Sequence, residues 1–346
     1  MTDESLSPAL SAEINRILED AGVHTDRRLV MRMLRTAVLL GEDGTSRLDL
    51  KIASAALAEM RDAFRLFAPY QGTPKVTVFG SARTRQDDPL YVQAKLVAAA
   101  LAARGWMVVT GAGPGIMQAA AEGAGPDLSL GVSIRLPFEE KANALLEASD
   151  HIVAMKYFFT RKLMLMKESR GFICLPGGFG TLDEMFELLT LQQTGKAEPM
   201  PIVLLDEPGG TFWRGLKRFV DEDLAPAGVI SDGDFDRVQI TDSIDEATAA
   251  ILGFWHNYDS LRWVGSTLVL RLKTEPTDAE IDALNAQFGR MLVSGRIVRS
   301  TPLAPEVADR DVLELPRLAL HIDQHQVGNL FRLIGAINAL PSGAAG

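Results

Sequence analysis

A glycine-rich loop between an apolar run and an amphipathic helix carries the residues best suited to bind a phosphate. Residues 172–175 are predicted to form a buried strand, residues 176–180 the loop, and residues 181–194 the helix. Glycines let backbone N–H groups approach a ligand closely, and the first turn of a helix adds free N–H groups and a positive dipole end. The predicted phosphate-binding residues are Gly177, Gly178, Phe179, Gly180 and Thr181.

The same segment admits a purely structural interpretation. Thr181 and Glu184 have the Thr-x-x-Glu spacing of a capping box, in which two side chains satisfy the free N–H groups at the start of a helix. The loop would then be a tight turn that binds nothing. These residues alone leave both interpretations open.

Two cations lie near the start of another predicted helix, residues 158–169. Arg161 and Lys162 are mildly unfavourable at the positive end of a helix dipole, and a broken local rule indicates a functional site. Arginine is also a planar partner with several donors for a phosphate or a carboxylate. The structural alternative is that both side chains extend to solvent or pair with Glu168 or Asp183.

Glu184 adds a carboxylate just inside the helix that follows the loop, and Glu187 lies on the same face. A carboxylate beside a phosphate site suits chemistry on the sugar that carries the phosphate. It could face a developing oxocarbenium ion or orient an attacking water, as carboxylates do at glycosidic bonds.

Strands and helices alternate over the middle of the chain, which predicts an α/β fold: a Rossmann-like, doubly wound, mostly parallel sheet. The predicted strands span residues 76–79, 107–110, 128–136, 152–155, 172–175, 201–205 and 237–241. Ligands bind at the carboxyl ends of such strands, where three loops carry glycines. The candidate nucleotide-binding residues from the first two of these loops are Gly80, Ser81, Gly111, Gly113 and Gly115.

A redox dinucleotide site is disfavoured. The second loop has the spacing G-x-G-x-G, Pro114 removes one N–H group, and the next strand is followed by Arg135 instead of an acidic residue. No cofactor is therefore predicted. His321 and His325 lack a third ligand nearby in the sequence, so no metal site is predicted either.

Composition bounds the class of protein. The 346 residues carry a net charge of −10, which argues against nucleic acid or an anionic membrane surface as partner. Cys174 is the single cysteine, so no internal disulfide is possible, and it lies within a predicted core strand. Without a recognisable signal peptide or membrane-spanning apolar run, a cytoplasmic location is expected.

Three regions are predicted. Residues 1–72 form a helical region with helices at 7–21, 25–40 and 48–70, and residues 73–260 form the Rossmann-like domain, which ends in helix 243–258. Residues 261–346 form a small α+β domain in the order βαββα. Its predicted elements are strand 267–272, helix 277–292, strands 296–300 and 317–322, and helix 327–340.

At these motifs the sequence resembles a known family. Residues 176–184 resemble the PGGxGTxxE signature of the Lonely Guy (LOG) proteins, cytokinin riboside 5'-monophosphate phosphoribohydrolases that are often mislabelled lysine decarboxylases. Arg161 and Lys162 match the arginine-lysine pair of that family at the same spacing. Gly80-Ser81 and residues 111–117 resemble its first and second loops. The resemblance covers about residues 75–255, and the flanking regions look like those of longer bacterial members.

The resemblance implies hydrolysis of the N-glycosidic bond of a nucleoside 5'-monophosphate, such as AMP or a cytokinin riboside monophosphate, to free base and ribose 5-phosphate. It implies that Arg161 and Glu184 are catalytic, that residues 177–181 hold the phosphate, and that Met117 and Lys162 join the nucleotide site. It also implies at least a homodimer with the site near the subunit interface. A decarboxylase is not supported, because no lysine stands out as a pyridoxal phosphate anchor.

Two departures from the family pattern bear on base preference. Ala112 replaces the middle glycine of the second loop, and Leu165 stands where a methionine is expected after the arginine-lysine pair. The alternative function is a non-catalytic nucleotide sensor, or a carrier similar to the molybdenum cofactor carrier proteins, which share this fold and its glycine loops.

Overall fold

The computed structural model describes residues 7–135, 150–230, 234–322 and 327–345. The chain divides into two compact units, Met1–Arg61 and Asp62–Gly346.

The first unit is helical, as predicted. It contains α1 (Pro8–Asp20), α2 (Arg27–Glu42) and most of α3, which spans Arg47–Phe67. Ser7 starts α1, because its hydroxyl accepts a hydrogen bond from the Leu10 N–H at 3.2 Å and Pro8 occupies the first turn.

The centre of the second unit is a seven-stranded sheet in the order β4-β3-β2-β1-β5-β6-β7. All its strand pairs are parallel, which confirms the predicted Rossmann-like architecture. Its strands are β1 (Lys75–Phe79), β2 (Met107–Thr110), β3 (Ser129–Ile134), β4 (Ile152–Met155), β5 (Phe172–Cys174), β6 (Ile202–Leu205) and β7 (Val238–Thr241). Leu136, the predicted end of the third strand, lies outside the described residues.

Helices connect these strands. They are α4 (Pro89–Ala102), α5 (Ile116–Ala124), α6 (Phe158–Lys167), α7 (Phe179–Gln193), α8 (Phe212–Phe219) and α9 (Ile244–Phe254). Helices cover the sheet, so every position of the central strands β1, β2, β5 and β6 is buried, whereas the edge strands β4 and β7 are only partly buried.

Strand order reverses beside β1. The chain proceeds from β1 through β2 and β3 to β4 on one side, then returns to place β5 on the other side of β1. Connections leave β1 and β5 in opposite directions at such a switch point, which opens a crevice at the carboxyl ends of these two strands. The three glycine loops follow β1, β2 and β5 and therefore share this edge.

The C-terminal part contains a four-stranded antiparallel sheet in the order β10-β11-β9-β8. Its strands are β8 (Tyr258–Val264), β9 (Thr267–Leu272), β10 (Leu292–Arg299) and β11 (Arg317–Ile322), and its helices are α10 (Asp278–Phe288), α11 (Ala304–Asp309) and α12 (Val327–Asn338). The predicted order βαββα was incomplete, because it lacked β8 and α11. Residue 260, the predicted domain boundary, lies inside β8.

One hydrophobic core runs through both sheets. It joins residues of β1 and β5, such as Val76 and Ile173, to residues of β9 and α12, such as Leu270 and Leu333. No helix in the described part of the chain is long and apolar enough to cross a membrane.

Candidate active site

Backbone hydrogen bonds join the three glycine loops at the switch point. The Ser81 N–H donates to the Pro176 carbonyl oxygen at 3.4 Å, and the Ile116 N–H donates to the Ser81 carbonyl oxygen at 3.0 Å. The loop after β1 is therefore held between the loops after β2 and β5.

Close packing explains why several positions in these loops are glycine. A β-carbon at Gly177 would lie 2.2 Å from the Thr181 hydroxyl oxygen, and one at Gly80 would lie 2.5 Å from the Ile116 side chain. Gly115 has a φ of +65°, and a β-carbon there would lie 2.4 Å from the Ser81 carbonyl oxygen. The predicted residues of the first and second loops thus lie together with the start of α7.

Helix α7 begins two residues earlier than predicted. Gly178 is its N-cap, Phe179 and Gly180 belong to its first turn, and no side chain among the described residues caps it. Thr181 is thus the third helical residue and Glu184 the sixth, which is not the geometry of a capping box. The capping box considered for Thr181 and Glu184 is therefore wrong, and no described side chain caps the N–H groups of the first turn.

Glu184 is a buried carboxyl group. Its side chain projects from α7 with 6% of the residue exposed, and its Oε2 atom has no hydrogen-bond partner among the described residues. Burial raises the pKa of Glu184 to about 7, although Lys162 and Arg161 oppose the rise. A carboxyl group with this pKa exchanges its proton near neutral pH, as a general acid or base must.

Arg161 lies in the first half of α6 and reaches across to the loop after β2. Its Nε donates to the Val132 carbonyl oxygen at 3.0 Å. A β-carbon at Gly111 would stand 2.0 Å from the Nη2 atom of Arg161, so the guanidinium lies directly against this glycine. Met117 packs against the same loop, since a β-carbon at Gly113 would lie 2.6 Å from its terminal methyl.

Lys162 pairs with carboxylates of α7. Its Nζ lies 2.7 Å from Asp183 and 2.5 Å from Glu187. Burial works against the charge, but these two partners raise the pKa of Lys162. Of the two structural partners considered from the sequence, Asp183 is the one it contacts, whereas Glu168 pairs with Lys167.

Two features of the site were not predicted. Phe179 was assigned to the phosphate loop, yet its side chain is 92% exposed. Ala112 has a φ of +57°, a left-handed conformation that costs a non-glycine residue about 1–2 kcal/mol. The departure of Ala112 from the family's middle glycine was the sequence signal for this strained position.

The remaining candidates are a cysteine and two histidines. Cys174 is fully buried in β5, as predicted, and burial raises the pKa of its thiol. The Nδ1 atom of His321 lies 3.2 Å from the Ser266 carbonyl oxygen. His325 lies outside the described residues. Within the described ranges, no group of three or more His, Cys, Asp or Glu side chains is placed to hold a metal.

The chain is similar to a known protein family and to two named mycobacterial proteins. A family model described as "Possible lysine decarboxylase" matches residues 114–251. A Mycobacterium marinum protein named cytokinin riboside 5'-monophosphate phosphoribohydrolase is 34% identical over 159 residues, which are 44% of this chain and 81% of that protein. A Mycobacterium tuberculosis protein of the same name is 32% identical over 180 residues, 51% of this chain and 91% of that protein.

Among solved structures, the molybdenum cofactor carrier protein of Chlamydomonas reinhardtii is 21% identical, with a TM-score of 0.37, over 52% of this chain and 96% of that chain. A likeness of this size carries no information about what this chain binds.

The parallel sheet and its glycine loops define an α/β protein of the Rossmann-like class. Within that class, the chain belongs to the Lonely Guy (LOG) family, as the resemblance predicted. The family model keeps the decarboxylase description, whereas these relatives carry the phosphoribohydrolase name. They align with about half of this chain, so its flanking regions lie largely outside the shared part.

Proposed function

We propose that this protein hydrolyses the N-glycosidic bond of a nucleoside 5'-monophosphate, releasing the free base and ribose 5-phosphate. The observation that carries the proposal is the environment of Glu184. Its carboxyl group is buried, and one of its oxygens has no hydrogen-bond partner among the described residues. It lies in the second turn of α7, and no described side chain caps the first turn of that helix. The name of the mycobacterial relatives supports the same reaction.

The phosphate end of the substrate would bind at the start of α7. Backbone N–H groups of Gly178, Phe179, Gly180 and Thr181 lie at the positive end of the helix dipole, where an anion is stabilised. Gly177 lets the loop backbone lie close to Thr181, because any side chain at position 177 would collide with the Thr181 hydroxyl. Binding the phosphate fixes the ribose relative to the carboxyl group on the next turn.

Glu184 would act at C1′ of the ribose. As a carboxylate it stabilises positive charge that develops on the ring and accepts a proton from the attacking water. The water oxygen bonds to C1′ and the C1′–N bond breaks with its electrons going to the base nitrogen. The base nitrogen takes a proton from solvent, and Glu184 releases to solvent the proton that it took from the water. Arg161, anchored to the Val132 carbonyl oxygen, would orient the substrate and the carboxylate.

The second and first loops would surround the nucleoside. Gly111, Gly113, Gly115 and Met117 lie on one side of the crevice and Gly80-Ser81 beside them. AMP or a cytokinin riboside monophosphate is the proposed substrate class.

A homodimer is proposed to cover apolar side chains next to the site. Phe159 and Leu163 lie one turn apart on α6, and Phe179 and Phe186 lie two turns apart on α7, and all four are exposed. The ion pair of Lys162 with Glu187 holds the two helices together, so these side chains form neighbouring apolar surfaces.

Base release from a panel of nucleotides tests the proposal. The purified protein is incubated with AMP, GMP, CMP and UMP, and free base and ribose 5-phosphate are quantified by chromatography. We expect equal amounts of the two products from at least one nucleotide. A protein that releases no base, yet copurifies with a nucleotide or the molybdenum cofactor and still binds it as Glu184→Gln, would be a carrier or sensor instead.

A further inference from the structure

Helix α7 carries three carboxyl groups within two turns, Asp183, Glu184 and Glu187, and a cation from α6 pairs with two of them. The Nζ atom of Lys162 lies 2.7 Å from an Asp183 oxygen and 2.5 Å from a Glu187 oxygen. Its side chain is only 14% exposed. Two of the three N–H donors of the Lys162 ammonium group are therefore used by Asp183 and Glu187, which flank Glu184 on α7.

This arrangement treats the three carboxyl groups differently. Asp183 and Glu187 each have an ion-pair partner, whereas Glu184 is more deeply buried and keeps its Oε2 atom without a hydrogen-bond partner in the described part of the chain. A third carboxylate beside two unneutralised ones holds its proton more tightly. The charge of Lys162 opposes this effect.

We propose that Lys162 is a positioning residue for Glu184, which acts through its own charge, by neutralising Asp183 and Glu187, and by tying α6 to α7. The inference rests on the proposed function, because it concerns the residue to which that function assigns the chemistry. The nucleotide-binding role that the resemblance implied for Lys162 stays a prediction.

The charges around Glu184 make the inference directional. From α6 it is faced by Arg161 and Lys162, from its own helix by Asp183 and Glu187, and from β5 by the neutral thiol of Cys174. Loss of the Lys162 charge leaves two unpaired carboxylates near Glu184 and favours its protonated form. Loss of the Glu187 charge leaves Lys162 more available to Glu184 and favours its ionised form.

A titration of the Glu184 carboxyl carbon tests this directly. The full-length protein is prepared with ¹³C-labelled glutamate, and the Glu184 resonance is assigned by its absence in Glu184→Gln. Chemical shifts are followed from acidic to alkaline pH in the wild type, Lys162→Met, Lys162→Arg and Glu187→Gln. This readout does not depend on activity.

We expect the midpoint to move up by about one pH unit in Lys162→Met, down by about one unit in Glu187→Gln, and far less in Lys162→Arg. Glu187→Gln is a nearly isosteric change, so it keeps the test valid even where Lys162→Met fails to fold. A midpoint that stays in place in the variants that fold, or that moves in the same direction in both, overturns the inference.

The pH profile of kcat/KM supplies a second readout that a purely structural lysine would not move. The acidic limb is expected to shift in the same directions as the resonance. Suppose that the midpoint rises in Lys162→Met and falls in Glu187→Gln, as expected, while the protein releases no base from any nucleotide. That result contradicts the proposed function and leaves the role of Lys162 intact. A protein that releases base with limbs unmoved in both variants contradicts only the role of Lys162.

Discussion

The guanidinium of Arg161 lies against Gly111 so closely that a β-carbon at position 111 would stand 2.0 Å from its Nη2 atom. The loop after β2 thus admits the arginine only because its first residue has no side chain. Replacing Gly111 by alanine should push the guanidinium away from its place beside the Val132 carbonyl oxygen. We expect base release to fall by about 100-fold, as for other ångström-scale misplacements of a catalytic group.

A glycine in open surroundings provides the control for Gly111→Ala. Gly253 lies in α9, and a β-carbon there meets nothing within 4 Å. Gly253→Ala should leave base release unchanged and, because alanine favours helix, should not lower the melting temperature. Equal activity in Gly111→Ala and the wild type would contradict the placement of Arg161.

Glu184→Gln is expected to stabilise the fold in a pH-dependent way. Burial raises the pKa of Glu184 to about 7 from an ordinary value of 4.5, so the folded protein holds this proton more tightly than the unfolded chain. Its destabilising effect is therefore absent below about pH 4.5, grows as pH rises, and is complete above about pH 7. The difference in unfolding free energy should approach about 3 kcal/mol at alkaline pH.

Urea unfolding of Glu184→Gln and the wild type at a series of pH values measures this difference. Glu222→Gln, a change at an exposed glutamate on the surface, controls for the loss of one negative charge. A constant difference between Glu184→Gln and the wild type across the series would show that the carboxyl is not buried as described.

The C-terminal sheet depends on a buried ion pair. Glu306 is fully buried, and one of its oxygens accepts hydrogen bonds from Nε and Nη2 of Arg271 at 3.2 and 2.8 Å. Removing the carboxylate leaves the cations of Arg271 and Arg317 buried without it. Glu306→Ala should therefore lower the unfolding free energy by about 3–5 kcal/mol.

Thermal or chemical unfolding measures the effect of Glu306→Ala, with Asp309→Asn as the matched control. Asp309 belongs to the same cluster, but its side chain is 62% exposed and pairs with Arg262 at the surface. Loss of that pair should lower the unfolding free energy by less than about 1 kcal/mol. Similar losses of unfolding free energy in the two variants would contradict the stabilising role of the buried ion pair.

The apolar surfaces of α6 and α7 predict a change of assembly on substitution. Phe159→Asp places a charge where a second copy is proposed to pack, so the assembly should weaken and a monomer should appear in light scattering at micromolar concentration. Val293→Asp, at an exposed valine in β10, is the control and should leave the mass unchanged. A wild type that is already monomeric would remove the proposed dimer.

Local signals allowed much of the fold and site to be predicted. The glycine loops, the alternation of strands and helices, and the positions of Arg161 and Glu184 could be inferred because each depends on a few adjacent residues. Their convergence followed from the rule that parallel strands share a carboxyl edge. The ion pair of Lys162 with Glu187 could not be inferred, because it depends on how α6 packs against α7.

Two errors have physical causes. The start of α7 was placed too late because Phe179 and Gly180 have poorer helix propensity than the residues that follow, which packing at the sheet edge overrides. Strand β8 was missed because Phe254 and Tyr258 have the spacing of one helical turn, which continued the pattern of α9. The two-residue loop Gly265-Ser266, with a φ of +62° at Gly265, was the hairpin signal that could have revealed it.

The comparison of AMP with adenosine in the wild type and Glu184→Gln tests the central claim most directly. If α7 holds the 5'-phosphate and Glu184 acts at C1′, the wild type should release adenine from AMP with a kcat/KM at least about 1,000-fold above that for adenosine, since the phosphate supplies the binding energy. Glu184→Gln should bind AMP and release almost no adenine. Equal rates for AMP and adenosine, or an active Glu184→Gln, would contradict the account.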